Sequence, residues 1–244
     1  MKQRLIAAAI HFLGSAGVIS MFLLLVYFIW YAYPYNIIYS AIDVVKLVVG
    51  VDLVLGPLLT LVIFNISKPR KELIRDITII VCFQVAALSW GVHAAYKVRP
   101  LYAVYYGGTF YTATGADIDI QGSQDAIASP GILEKAKVVY VKKLEKHEAV
   151  VREIENMRKG MRGIMYRPQE YELISHHIDE IVEHNLDVNN IAANSEKKAI
   201  DKVIQQRGKA LSEFLFYPYV SGVKGGSGIV VIDKSEMKIV DVLK

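Results

Sequence analysis

Residues 5–30 read LIAAAIHFLGSAGVISMFLLLVYFIW, an apolar run long enough to decide the class of fold. About 20 such residues, coiled as a helix, cross the ~30 Å hydrocarbon core of a bilayer. The run follows Lys2 and Arg4 as a signal peptide would, but its apolar stretch is too long and no small-residue cleavage site closes it. It is expected to persist as a signal anchor. Two further apolar runs, at about 47–66 and 77–95, have the same character, and beyond them the chain becomes an ordinary charged sequence. The mean hydropathy of +0.32 over 244 residues is therefore an average of two unlike parts. The expected fold is that of a membrane protein: three N-terminal transmembrane α-helices followed by an α+β extracytoplasmic domain, divided as residues 1–96 and 97–244.

Loop charges predict the orientation. Lys2 and Arg4 precede the first run, and Lys68, Arg70, Lys71 and Arg75 lie between the second and third. Residues 31–45 carry no Lys or Arg, and only Lys46 borders the second run. The positive-inside bias puts the N-terminus and the second loop in the cytoplasm, and everything after Tyr96 outside. Lys46, Lys97 and Arg99 oppose this but are outnumbered. Tyr27, Phe28, Trp30, Tyr31, Tyr33 and Tyr35 gather at the outer end of the first run, with Trp90 and Tyr96 near the outer end of the third. They read as an interfacial aromatic belt. The net charge of +4 is explained as well by lipid headgroups as by a polyanion, so no nucleic-acid partner is expected. The single cysteine, Cys82, makes no internal disulfide and leaves the compartment undecided.

Asp52 lies in GVDLVLGPLL, towards the outer third of the second run. A carboxylate at the centre of a transmembrane helix costs roughly 2.5–3.5 kcal/mol on insertion scales, so it must meet a partner or be protonated. Gly56-Pro57 follows one turn later, where proline removes a backbone donor. Gln84, Ser89 and Lys46 are the candidate partners. Two readings stand side by side: a docking site for another transmembrane helix, or a polar clamp holding these three helices together. An ion path is disfavoured, because one carboxylate offers no relay. His11 and His93 read as interfacial anchors.

In the second part, RPLYAVYYGGTFYTAT predicts a β-hairpin turning at Gly107-Gly108, and AKVVYVKKL predicts a strand. Residues 145–159 predict a helix with Val150, Val151, Ile154 and Met157 along one face. Residues 170–183 predict another, with Leu173, Ile174, Ile178, Ile181 and Val182 at helical spacing. Ser195 is read as the N-cap of a further helix through Gln206. FLFYPYVSGV, GIVVID and MKIVDVL predict three closing strands. Strands at both ends with helices between them give a compact α+β domain.

Motifs for chemistry are weak in this part. His177, Glu180 and His184 share a helical face, but the spacing is not HExxH and no cysteine assists, so a solvated face is the plainer reading. Lys224–Gly228 (KGGSG) lacks the spacing and Lys-Ser/Thr end of a P-loop and precedes a strand, which makes it a turn. No nucleophile elbow or catalytic dyad is visible. Neither enzymatic activity nor a cofactor is expected.

The arrangement as a whole resembles a known family. YAYPY closes the first run, Val51-Asp52-Leu53-Val54-Leu55-Gly56-Pro57 forms the core of the second, and Asn65 opens a basic loop. The third run contains Gln84, and Arg99-Pro100 joins it to a tyrosine-rich strand. Over roughly residues 1–110, and again at the terminal GIVVID strand, the chain is similar to type IV pilin accessory proteins of the TfpX/TfpZ group. The resemblance implies a multi-pass protein of the bacterial inner membrane, with its C-terminal domain in the periplasm, that helps a cognate type IV pilin assemble into surface pili. Its partners would be that pilin, the assembly machinery and the lipid bilayer. Asp52, Gly56, Pro57 and Gln84 become candidate contacts within the membrane, and Arg99 and Pro100 the candidate junction. The first rival reading is a membrane-anchored extracytoplasmic sensor or signalling scaffold; the others are a membrane-bound enzyme using the histidine-rich helix and a small transporter formed as an oligomer.

Overall fold

A computed structural model describes residues 1–39, 42–118, 126–188, 194–221 and 226–243; the side chains of 42–44, 47 and 194–196 also lie outside the described set. The chain forms two compact units. One comprises Met1–Phe28 with Ala41–Val98, the other Ile29–Ser40 with Arg99–Lys244.

The first unit is helical. α1 (Lys2–Leu25) continues into a π turn at Val26–Trp30. A short helix, α2 (Tyr35–Ile38), belongs to the other unit. A second run comprises α3 (Ile42–Gly50), a π turn at Val51–Leu55 and α4 (Gly56–Ile63). α5 (Arg70–Lys97) completes the unit. Two helices, Lys2–Trp30 and Arg70–Lys97, are long and apolar enough to cross a membrane, whereas the stretch Val48–Ile63 is a shorter apolar helix.

The expected span at 47–66 is thus shifted and interrupted. It stops at Ile63 because Phe64 turns extended and the Asn65 side chain accepts from the Ser67 N–H at 3.2 Å, closing a tight turn. Asp52 is the fifth residue of the apolar helix Val48–Ile63, within the third nearest its start, and lies midway only along the longer 42–63 run.

The second unit carries a seven-stranded mixed sheet. Its strands are β1 (Pro100–Tyr106), β2 (Thr109–Thr114), β3 (Lys137–Tyr140), β4 (Glu172–Leu173), β5 (Phe214–Val220), β6 (Ser227–Asp233) and β7 (Lys238–Leu243), in the spatial order β4-β3-β1-β2-β5-β6-β7. The β1–β2 hairpin turns where expected. Tyr106 pairs with Thr109, and Gly107 and Gly108 hold φ of 56° and 85°, the left-handed pair that a two-residue turn of matching twist requires. β3 runs parallel to β1, and β5 parallel to β2. The three closing strands form as predicted, in antiparallel register.

Alternation along the strands sorts the core. Phe214, Phe216 and Val231 pack with Ile200 and Val203 of α8 (Asn194–Arg207). Tyr105, Phe110 and Tyr217 form an aromatic cluster with centroids 5.3–5.6 Å apart. Tyr102, Val104 and Val139 pack instead with Ile164 and Tyr171. Ser195 lies inside the first turn of α8, not before it, and its capping side chain is outside the described residues. Lys224 and Gly225 of the KGGSG turn also lie outside them; Gly226, at φ 77°, leads into β6.

Two other expectations change. α6 (His147–Arg158) forms as a helix, but Val150, Val151, Ile154 and Met157 are all exposed, so its apolar face is not part of the core among the described residues. The predicted helix at 170–183 is broken into 3₁₀ turns at Pro168–Glu170 and Ile174–His176, the short β4, and α7 (Ile178–Glu183). Sheet pairing overrides local propensity here. Leu173 pairs with Val139, and Tyr171 is buried edge-on against Tyr102 at 4.8 Å, donating to the Met165 carbonyl at 2.9 Å.

Candidate functional site

The helical unit brings together one polar side chain from each of α1, α4 and α5. His11 of α1 donates through Nε2 to Gln84 Oε1 of α5, and its Nδ1 lies 2.5 Å from Thr60 Oγ1 of α4. The Thr60 hydroxyl also reaches the Gly56 carbonyl at 3.1 Å. In apolar surroundings such groups must satisfy one another, because no water competes for them. His11, read from sequence as an interfacial anchor, is instead the bridge of this relay. The signal that could have found it was present: His11, Thr60 and Gln84 are polar interruptions in otherwise apolar runs. Distances in sequence of 49 and 73 residues hid their meeting. His93 is exposed.

Gly56 makes the relay possible. A Cβ there would fall 1.9 Å from Gln84 Nε2, so only glycine lets the amide lie across the helix. Gly91 does the same between α5 and α3, where a Cβ would come 2.5 Å from Val48 Cγ2. Pro57 sits in the first turn of α4, directly after the π turn. A proline there has no N–H to give to the preceding turn, and an inserted residue takes up the mismatch.

Asp52 belongs to that π turn and is 4% exposed. Its Oδ1 is buried and has no hydrogen-bond partner among the described residues. The pairing expected with Gln84, Ser89 or Lys46 is not made at this atom. Ser89 and Lys46 are exposed, and Gln84 Oε1, which accepts from His11, is itself an acceptor. Asp52 lines a groove of about 280 Å³. One wall is His11, Gly14, Ser15 and Val18; the other is Val81, Gln84, Val85 and Leu88. Each wall follows the i, i+3, i+4, i+7 spacing of a single helix face. At Gly14 a Cβ would meet nothing within 4 Å, so the groove is open above it.

In the sheet unit, Arg99 immediately precedes β1, which Pro100 opens. Arg99 is 3% exposed, donates from Nη2 to the Pro130 carbonyl at 2.8 Å, and stands 6.0 Å from the centre of the Trp30 ring. Trp30 introduces the aromatic segment that folds with this unit. Its Nε1 donates to the Ile132 carbonyl at 2.7 Å, Tyr35 OH to the Ala136 carbonyl at 3.3 Å, and Tyr39 OH to the Tyr102 carbonyl at 2.6 Å. Tyr33 OH donates to Asp241 on β7. Burial pushes the Tyr35 hydroxyl up to about 12 and that of Tyr39 well above its usual value, so both remain donors across the physiological range.

The predicted interfacial belt is therefore divided: Trp30, Tyr31 and Tyr35 are buried core, whereas Tyr27, Phe28 and Tyr33 are exposed. Composition alone does not separate a lipid-facing tyrosine from one that fills a domain.

The histidine-rich segment is held in separate contacts. His177 stacks on Tyr140 at 3.8 Å and bonds Glu172 at 2.6 Å, Glu180 accepts from Tyr140 OH at 2.7 Å, and His184 bonds the Glu180 carbonyl at 2.9 Å.

Residues 1–39 match the family model described as fimbrial assembly protein FimB. That region holds α1, with His11 and Gly14, and the aromatic segment. The chain is 37% identical over 108 residues to the fimbrial assembly protein of serogroups C1 and C2 of Dichelobacter nodosus, covering 43% of this chain and 82% of that protein. The same identity over the same length relates it to the serogroup I and serogroup E1 fimbrial assembly proteins of that organism. There the match spans only 42% of each relative. No solved structure matches the chain. With more than four-fifths of one relative covered at this identity, the chain belongs to the fimbrial assembly proteins.

Proposed function

We infer that this chain is a non-enzymatic accessory protein of the bacterial inner membrane, of the TfpX/TfpZ kind, which helps a cognate type IV pilin assemble into surface pili. The observation that carries the reading is the 37% identity to a fimbrial assembly protein over 82% of its length. Layout supports it. The helical run from Ile42 to Ile63 would be about 33 Å long at 1.5 Å per residue, so three crossings are proposed despite the interruption at Asp52. The loop charges then favour a cytoplasmic N-terminus and a periplasmic sheet unit. A subunit waiting for assembly needs its apolar helix held in the bilayer and its head held outside. A protein with helices and an outer domain offers a surface to each, without any reaction.

The test is surface piliation in a strain lacking the gene, with total pilin measured in parallel. Few surface pili at normal pilin levels are expected. Unchanged piliation would overturn the assembly reading and favour an extracytoplasmic sensor or scaffold.

A further inference from the structure

We propose that Asp52 is the receiving half of an interhelical hydrogen bond whose donor arrives on a partner's transmembrane helix, laid in the groove between α1 and α5. The proposal rests on the assembly reading for the partner's identity, a pilin helix, but its chemistry follows from the groove itself. An acceptor that is 96% buried and unmatched at Oδ1 is costly in an apolar setting, and His11 and Thr60 are already engaged in the relay. What Asp52 lacks is a donor: a hydroxyl, amide or ammonium.

Lipid does not supply it. Acyl chains carry no donor, and a headgroup would have to reach past the first turn of the apolar helix Val48–Ile63 to a side chain that is 4% exposed. The groove's shape fits a helix. Its walls are two helical faces extending from His11 to Val18 and from Val81 to Leu88, about two turns or 10 Å each. Gly14, with empty space above it, lets a backbone approach closely, as small residues do where helices meet in membranes. The π turn, by inserting a residue, re-aims the face on which Asp52 stands. The partner is thus an apolar helix carrying one donor on its contact face.

The experiment uses the full chain in its own membrane, with a photocrosslinking residue placed at Val18, beside the groove, or at Val62, away from it. A pilin adduct is expected from Val18 and not from Val62. Asp52→Leu should weaken it about 3- to 18-fold, the factor that one interhelical hydrogen bond in a membrane is worth. Gly14→Leu, whose Cβ would meet nothing within 4 Å and whose side chain would project into the groove, should do the same with the Asp52 carboxylate intact. Both variants should accumulate to the normal level.

A pilin adduct insensitive to Asp52→Leu would overturn the hydrogen bond while leaving the assembly reading standing. Adducts only within the chain, to a second copy or to lipid would overturn the groove as the docking site. Failure of the assembly reading shows separately, as unchanged piliation in the deletion strain.

Discussion

Gly56→Ala tests the helical unit most directly, because its expected effect changes sign with one other residue. The new Cβ would lie 1.9 Å from Gln84 Nε2 and 2.7 Å from its Cδ, far inside contact distance. The amide must swing away, and it is the amide that His11 holds. Losing one such interhelical bond costs about 0.6 kcal/mol on average and about 1.7 at most. Forcing a methyl into a filled site typically adds about 1–3 kcal/mol. Alanine's better helix propensity returns up to about 1 kcal/mol. The net expectation is a loss of about 1–3 kcal/mol.

In a Gln84→Ala background the three atoms that crowd Gly56 are gone, and the same substitution should be neutral or stabilising by up to about 1 kcal/mol. The coupling between the sites is then about 1–4 kcal/mol, a range that takes in the upper end of what contacting residues show. Denaturant unfolding of the full chain in detergent micelles, followed by helical circular dichroism, measures all four proteins. Equal costs in the two backgrounds would refute the close packing of Gln84 over Gly56.

Three predictions concern the sheet unit. Arg167, 6% exposed, pairs with both carboxylate oxygens of Glu153 at 2.7 and 2.8 Å, so Arg167→Ala strands a buried charge and should cost about 3–5 kcal/mol in denaturant unfolding; a loss under about 1 kcal/mol would contradict it. Burial raises the Asp233 carboxyl, but bonds from Lys209, Ser235 and the Glu236 backbone outweigh it and hold the group at about 2. Its folded value lies below the unfolded 3.8, so its contribution of about 2 kcal/mol is complete above that pH and lost as the pH falls towards 2; Asp233→Asn should flatten this acid limb of the unfolding profile. Tyr39→Phe removes the donor to the Tyr102 carbonyl and should cost about 1 kcal/mol, read as faster amide exchange across β1, while unchanged protection there would show that the aromatic segment does not brace the strand.

Much of the fold could be read locally. An apolar run long enough to span a membrane needs no partner to be recognised, and α1 and α5 follow from run length alone. Gly107-Gly108 between alternating residues predicts its hairpin because only residues tolerating positive φ close a two-residue turn. The 170–183 segment was misread because helical spacing at Leu173, Ile174, Ile178 and Ile181 says nothing about β3, whose edge captures Leu173. At the candidate site, Asp52, Gly56 and Gln84 stood out as polar or small interruptions of apolar runs. Their meaning did not, since Gln84 answers to His11 and Gly56 rather than pairing with Asp52 at Oδ1.

By itself, the sequence determined which segments are helix and which are strand wherever run length, period or turn chemistry decides, along with the polar residues that an apolar unit must somehow accommodate. Tertiary structure alone decided which of those groups satisfy one another and which one remains unmatched. It also decided that the aromatic residues from Trp30 to Tyr39 belong to the sheet unit. The physical reason is that a hydrogen bond inside an apolar unit is made between whatever helices happen to meet, across 49 or 73 residues of chain, and nothing in the local pattern encodes that meeting.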